Sequence, residues 1–335
     1  MKELAHLSFC RRRKKPNAGK LNQRQNSLSR EWREGLYTQA RWLLTVLFVA
    51  ASLAASPQTS TRITLNVVAF DNHDQTVSDL TGQDFQVSDQ GKPQRVVSFH
   101  RNADPQAVVI LADGGFGTEG IKVLEHLKLS DSLYLYLLTD ELKPVRGLPS
   151  PQEHNPPEKT PWTEHIKPLL EAAIGSPSGR RVVNRADTSF TAIETLGAAL
   201  KPFPGRKNLI WITIGVPLSS SPAEAARGRE FDNSSLINRI ATTLDHDGVT
   251  LSSVHQGNNV ENGDVATLDQ FADLTGGKVY ANDFEKAVKE VMAASGSGYV
   301  IEYDGPQLDG KYHRIRVSCS RKGVHLQVKK GYYAN

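Results

Sequence analysis

The sequence predicts an α/β protein: a doubly wound, mostly parallel sheet flanked by N- and C-terminal β-strands that pair into a small β domain. Three observations carry this. Between about 106 and 295, short continuous apolar runs alternate with segments of helical spacing, and continuous apolar runs suit strands covered on both faces. On either side the pattern changes to a period of two, the mark of strands with one buried face. The chain has 335 residues, 39% hydrophobic and 23% charged, which is globular usage at a length of about two domains.

The first segment, 1–56, is not part of that fold. Residues 1–41 hold eleven Lys or Arg against three acids, a net +8, while the whole chain carries +4, so the remainder is −4. The basic character therefore belongs to the N-terminus and does not argue for a nucleic-acid-binding domain. Trp42–Ala55 (WLLTVLFVAASLAA) is an uncharged apolar run ending in small residues before Pro57. Basic flank, apolar core and small-residue exit are the parts of a secretory signal. Fourteen helical residues span about 21 Å, short of a bilayer's roughly 30 Å hydrocarbon core. The expectation is an exported protein, in the periplasm, at the cell surface or in the medium, with membrane contact only through this segment if uncleaved. An exported chain from 57 onward holds one cysteine, Cys319, read as a small apolar strand residue without a disulfide.

Residues 57–105 read as strands. Ile63, Leu65, Val67 and Ala69 alternate with polar residues, Asp71–Asp74 makes a solvated turn, and Phe85–Val87 and Val96–Phe99 are short strands separated by a Gln90–Pro93 turn. Residues 106–296 supply buried strands at Ala107–Leu111, Leu133–Leu138, Leu209–Ile214, Val249–Val254 and Lys278–Tyr280. Helical spacing joins Phe190, Ile193, Leu196 and Leu200; Leu236, Ile240 and Leu244; Val265, Leu268 and Phe271; and Phe284, Val288 and Val291. Asn282 and Glu285 have capping-box spacing, and Gly248 after Asp245-His246-Asp247 suits a helix C′ position. Pro149–Pro161 is a polar, proline-rich loop, and Gly215–Ala223 a flexible one. Residues 297–335 return to strands at Tyr299–Tyr303, Tyr312–Val317 and Val324–Val328, with Asp309-Gly310 and Lys322-Gly323 as hairpin-turn dipeptides.

Several stretches resemble a known family. Asp84–Gln94 (DFQVSDQGKPQ) resembles the strand pair that precedes the von Willebrand factor A (vWA) domain in exported bacterial proteins of the acidobacterial VWFA-related type. Leu274–Tyr280 (LTGGKVY), Asp309–Val317 (DGKYHRIRV) and Gly331–Tyr333 are similar to that family's TGG strand, C-terminal hairpin and ending. The resemblance spans about 61–334 and implies a vWA-like fold that binds other proteins through loops at the strand carboxyl ends, here Asp113–Thr118, Ser189–Thr191 and Gly215–Ser221.

It also implies a metal-ion-dependent adhesion site, in which a Mg²⁺ ion takes about six oxygens. The family's Asp-x-Ser-x-Ser reads Asp113-Gly114-Gly115-Phe116-Gly117 here, its later Thr corresponds to Thr191, and its second Asp is replaced by Ile214. Asp113 and Thr191 are the two retained positions of a degenerate site. The expectation is no resident cofactor, with Mg²⁺ bound only if Glu119 or Asp187 rebuilds the shell.

A rival motif overlaps this one. Gly115-Phe116-Gly117-Thr118-Glu119-Gly120 is a G-x-G-x-x-G between strand and helix, with Asp140 ending the next strand, as in a dinucleotide-binding loop. A carboxylate at Asp113 opposes a pyrophosphate there, and export opposes a nicotinamide cofactor. His100, His154, His165, His255, His313 and His325 show no ligand spacing, and no nucleophile elbow, P-loop or H-E-x-x-H is present. The functional expectation is an exported binding or adhesion protein without enzymatic activity. Its partner is an unknown protein in the envelope or outside the cell. The alternatives are a dinucleotide-binding enzyme and a structural envelope protein.

Overall fold

The chain divides into two units, residues 1–59 and 60–335. A computed structural model describes residues 61–102, 107–113, 118–126, 133–139, 141–149, 167–168, 170–171, 185–220, 225–228, 230–256, 262–306 and 308–334. The basic segment, the apolar run, Gly114–Gly117, Asp140, most of the proline-rich stretch and Pro222–Glu224 lie outside the described residues.

In chain order the elements are β1 (Arg62–Phe70), β2 (Phe85–Asp89), β3 (Lys92–Gln94) and β4 (Val96–Arg101). Then come β5 (Val108–Asp113), α1 (Thr118–His126), β6 (Leu133–Leu138), β7 (Leu142–Arg146) and α2 (Arg185–Leu200). They are followed by β8 (Lys207–Thr213), α3 (Ser234–His246), β9 (Val249–His255), α4 (Asn262–Thr275), β10 (Val279–Ala281) and α5 (Phe284–Ala294). The chain closes with β11 (Tyr299–Asp304), β12 (Tyr312–Cys319), β13 (His325–Gln327) and β14 (Gly331–Tyr333). Among the described residues no helix is long and apolar enough to cross a membrane.

The middle elements form a six-stranded sheet, order β10-β9-β8-β5-β6-β7, parallel except for the antiparallel edge strand β7. Helices cover both faces, as the continuous apolar strands require. On one face Val109, Leu111, Leu209, Trp211 and Leu251 pack with Phe190, Ile193, Ile240 and Phe271 of α2, α3 and α4. On the other, Val108, Ile110, Ile210, Ile212 and Val254 pack with Leu124 of α1 and Phe284, Val288 and Val291 of α5.

The outer strands make two antiparallel sheets, β13-β1-β11-β4 and β14-β12-β2-β3. Each sheet therefore mixes strands from before and after the parallel sheet. Their inner faces share one core of Leu65, Val67, Phe85, Val87, Tyr299, Ile301, Tyr303 and Ile315. Ile63, Leu65, Val67 and Ala69 are buried as their alternation predicts, and Cys319, half-buried at the end of β12, packs on the same core.

Three local expectations are corrected. Lys92 and Pro93 belong to β3, because Gln90 and Gly91, at φ +49° and +76°, close the β2–β3 hairpin alone. Asp309-Gly310 and Lys322-Gly323 do not close hairpins: β11 and β12, and β12 and β13, lie in different sheets, so these turns carry the chain between sheets. The α5 cap is Asp283, whose side chain accepts from the Lys286 backbone N–H; Asn282 instead turns the chain at φ +53°. Gly248 does stand just past α3, at φ +72°, with its N–H on the Asp245 carbonyl.

Candidate functional site

In an open α/β sheet, ligands bind beyond the strand carboxyl ends where the strand order reverses. Here the chain winds outward from β5 to β6 and β7 on one side, then from β8 to β9 and β10 on the other. The reversal lies between β5 and β8. Their last residues, Asp113 and Thr213, are register partners, and Thr213 pairs in turn with His255, the last residue of β9.

Side-chain alternation puts all three on one face. Val109 and Leu111, then Leu209 and Trp211, then Val249 and Leu251 face the α2–α3–α4 layer. Asp113, Thr213, and Ser253 with His255 continue the same parities at the top of that layer. All four are buried. The apolar layer thus ends, at its carboxyl edge, in a band of polar side chains.

Asp113 is held by that band. Its Oδ2 accepts from the Ser189 hydroxyl, and from Trp211 Nε1 at 3.2 Å. Trp211 is fully buried, edge-on to Phe271 of α4. A buried carboxylate needs such donors, since charge-assisted bonds offset its lost hydration. The Thr213 hydroxyl accepts from the Gly215 N–H at 3.1 Å, and Gly215, at φ +100°, turns the chain away from the sheet. Between them Ile214 stands 46% exposed, one of four large apolar side chains so exposed among the described residues.

Past Gly215 the chain is less free than its composition suggests. Ser220 N–H donates to the Phe231 carbonyl, Asn233 N–H to the Leu218 carbonyl, and the Asn233 side chain to the Pro217 carbonyl. The described part of this loop, 215–220, is therefore hydrogen-bonded to 231–233.

The two metal positions do not come together. Asp113 turns inward to Ser189 and Trp211, whereas Thr191 is exposed on α2. Helical geometry gives the reason: residues two apart point about 200° apart, so a helix that aims Ser189 at Asp113 aims Thr191 away. Asp187 is exposed on the same helix, and the side chain of Glu119 lies outside the described residues. With Ile214 in place of a carboxylate, the described side chains do not fit a Mg²⁺ shell. Among the described residues no three His, Cys, Asp or Glu side chains cluster as metal ligands. Of the glycine loop, Gly120 is described and lies inside α1, while Gly115 and Gly117 do not fall within the described residues.

Ser189–Thr191, expected as a loop of the binding face, lies inside α2, and Trp211 and His255 are the members of this band to which the sequence reading gives no role. His255 carries no motif, and only the β8–β9 register brings it beside Thr213.

No family model matches the chain, and no curated protein matches it. Solved structures give distant likenesses. The human COPII-coat protein Sec24c is 13% identical, with a TM-score of 0.31 over 69% of this chain and 44% of its own. Three N-terminal domains of the type V pili tip protein Mfa5 from Porphyromonas gingivalis are 7% identical, with a TM-score of 0.33 over 83% of this chain and 69% of theirs. This chain thus spans less than half of the Sec24c chain. Scores of this size do not establish a shared fold.

Proposed function

We propose that this is a vWA-like, exported binding protein that docks another protein on the carboxyl edge of its parallel sheet and performs no chemistry there. The observation that supports this is Ile214. At the strand-order reversal, where a metal-using relative would place a carboxylate, the chain presents a half-exposed apolar side chain. The neighbouring polar side chains of β5 and β8 are buried and engaged with one another. An exposed apolar side chain at this position suits a desolvated contact rather than ion capture. The described residues offer no nucleophile activated by a base: the Ser189 hydroxyl donates to a carboxylate, not to an imidazole.

The test is photo-cross-linking from position 214 of the full chain in the producing cell, with position 97, exposed on β4, as control. The expected result is one discrete adduct from 214 and none from 97. Its purified partner then loses at least tenfold in affinity, about 1.4 kcal/mol, for Ile214→Asp. Equal labelling from both positions, or unchanged affinity, removes the docking face.

A further inference from the structure

The buried polar band contains atoms that the protein leaves without partners. Ser253 Oγ, His255 Nε2 and Thr267 Oγ1 are shielded from solvent and make no hydrogen bond. Ser253, His255 and Thr267 are each at least 97% buried. Buried polar groups are nearly always paired, so three in one layer ask for an explanation.

They share one place. Ser253 and His255 are two apart on β9 and face the same layer. Thr267 lies on α4, which packs on that face through Leu268, Phe271 and Leu274. The lower end of α4 is pinned there: the Leu251 N–H donates to Thr275 Oγ1 at 3.0 Å. From Thr275 back to Thr267 the helix climbs about 12 Å. From Leu251 to His255 the strand climbs about 13 Å. Thr267 therefore comes level with His255 at the carboxyl edge.

The chemistry narrows the guest. Two hydroxyls and an imidazole nitrogen offer both donors and acceptors. Among the described residues no cation stands with these three to balance a buried anion, and the nearest described carboxylate of the band, Asp113, is two strands away with Oδ2 engaged by Ser189 and Trp211. A buried ion would thus be uncompensated. We infer that the β9–α4 seam is a receptor for a neutral hydroxyl group of a small polyol-type ligand, entering from the carboxyl edge and hydrogen-bonded by Ser253, His255 and Thr267. This goes beyond the docking reading and stands without it, since Ile214 takes no part.

The experiment titrates glycerol and methyl α-D-glucopyranoside into the full chain, following the His255 ring by NMR and the melting temperature. The expected result is a saturable shift of the His255 signal with a raised Tm. Both are lost in Ser253→Ala/Thr267→Val, which keeps its native circular dichroism, and both are kept in Ile214→Asp. No saturable shift with either probe overturns the inference. So does a ligand-free Tm raised by several degrees in the double variant, which would mark the hydroxyls as sealed in a dry core. A response that survives the double variant overturns it as well, by placing the polyol elsewhere.

Discussion

The sandwich and the parallel sheet each bury a polar cluster, and they treat it in opposite ways. In the sandwich, Asp89 is 3% exposed, yet Tyr303 and Tyr332 each donate a hydroxyl to its Oδ2 at 2.9 Å and His313 Nδ1 meets its Oδ1 at 3.1 Å. The other ring nitrogen of His313 reaches Asp309 at 3.2 Å. Burial, reinforced by the Asp89 carboxylate, pushes both tyrosine hydroxyls well above their ordinary range, so they remain donors at any working pH. This cluster joins β2, β11, β12 and β14, and thus both sheets, with partners drawn from within the sandwich. At the carboxyl edge of the parallel sheet, Asp113 is similarly held, but Ser253, His255 and Thr267, at β9 and α4 two strands away, keep polar atoms unpaired. A satisfied buried network fixes architecture, whereas an open one leaves hydrogen-bonding capacity for something else.

If that contrast holds, mutations should separate the two clusters. The largest effect is expected for Asp89→Ala, which strands two hydroxyls and an imidazole in a core; urea denaturation should show a loss of about 3 kcal/mol or more. Asp113→Ala strands the Ser189 hydroxyl and the Trp211 indole, and should cost about 2 kcal/mol in the same assay. An equal or greater loss than at Asp89 would break the contrast. Ser253→Ala removes a hydroxyl that has no partner to strand, so its unfolding free energy should stay within about 0.5 kcal/mol of the parent.

The smallest effect concerns pH and sharpens the contrast from the outside. Asp71 and Asp84 are held below the ordinary carboxylate value. At Asp71 the backbone N–H groups of Gln75 and His73 are responsible; at Asp84, the N–H and then the hydroxyl of Thr81. A carboxylate with a depressed folded-state pKa adds stability that is fully present above its unfolded value, near 3.8, and is lost as pH falls through the folded value. Stability should therefore be flat from pH 7 to about 5 on account of these groups and decline below about pH 4. Asp71→Asn and Asp84→Asn should each flatten that decline slightly; a steeper one would contradict the assignment.

Much of the secondary structure was legible in the chain. Leu133–Leu138 is a strand with the bounds its apolar run predicts, and Phe190, Ile193, Leu196 and Leu200 do bury one helix face. These are local regularities, set by backbone periodicity and the need to cover apolar surface. Edge strands were less legible. β7 contains Pro144 and has exposed residues, so no apolar run announces it. Of the site, Asp113 and the replacement at Ile214 were legible, but the contacts of Asp113 were not. Its neighbours Ser189 and Trp211 are 76 and 98 residues away in sequence, beyond the reach of any spacing rule.

The sequence by itself determined most of the central strands and helices, that the central strands are covered on both faces, and that the flanking strands have one buried face. It did so because hydrophobic period is a property of each segment alone. Only the tertiary structure decided that Thr191 points away from Asp113, that Ile214 is left facing solvent, and that His255 stands in line with Asp113 and Thr213. Those outcomes depend on helix phase and strand register, which are set when separate elements pack and which no single stretch of chain encodes.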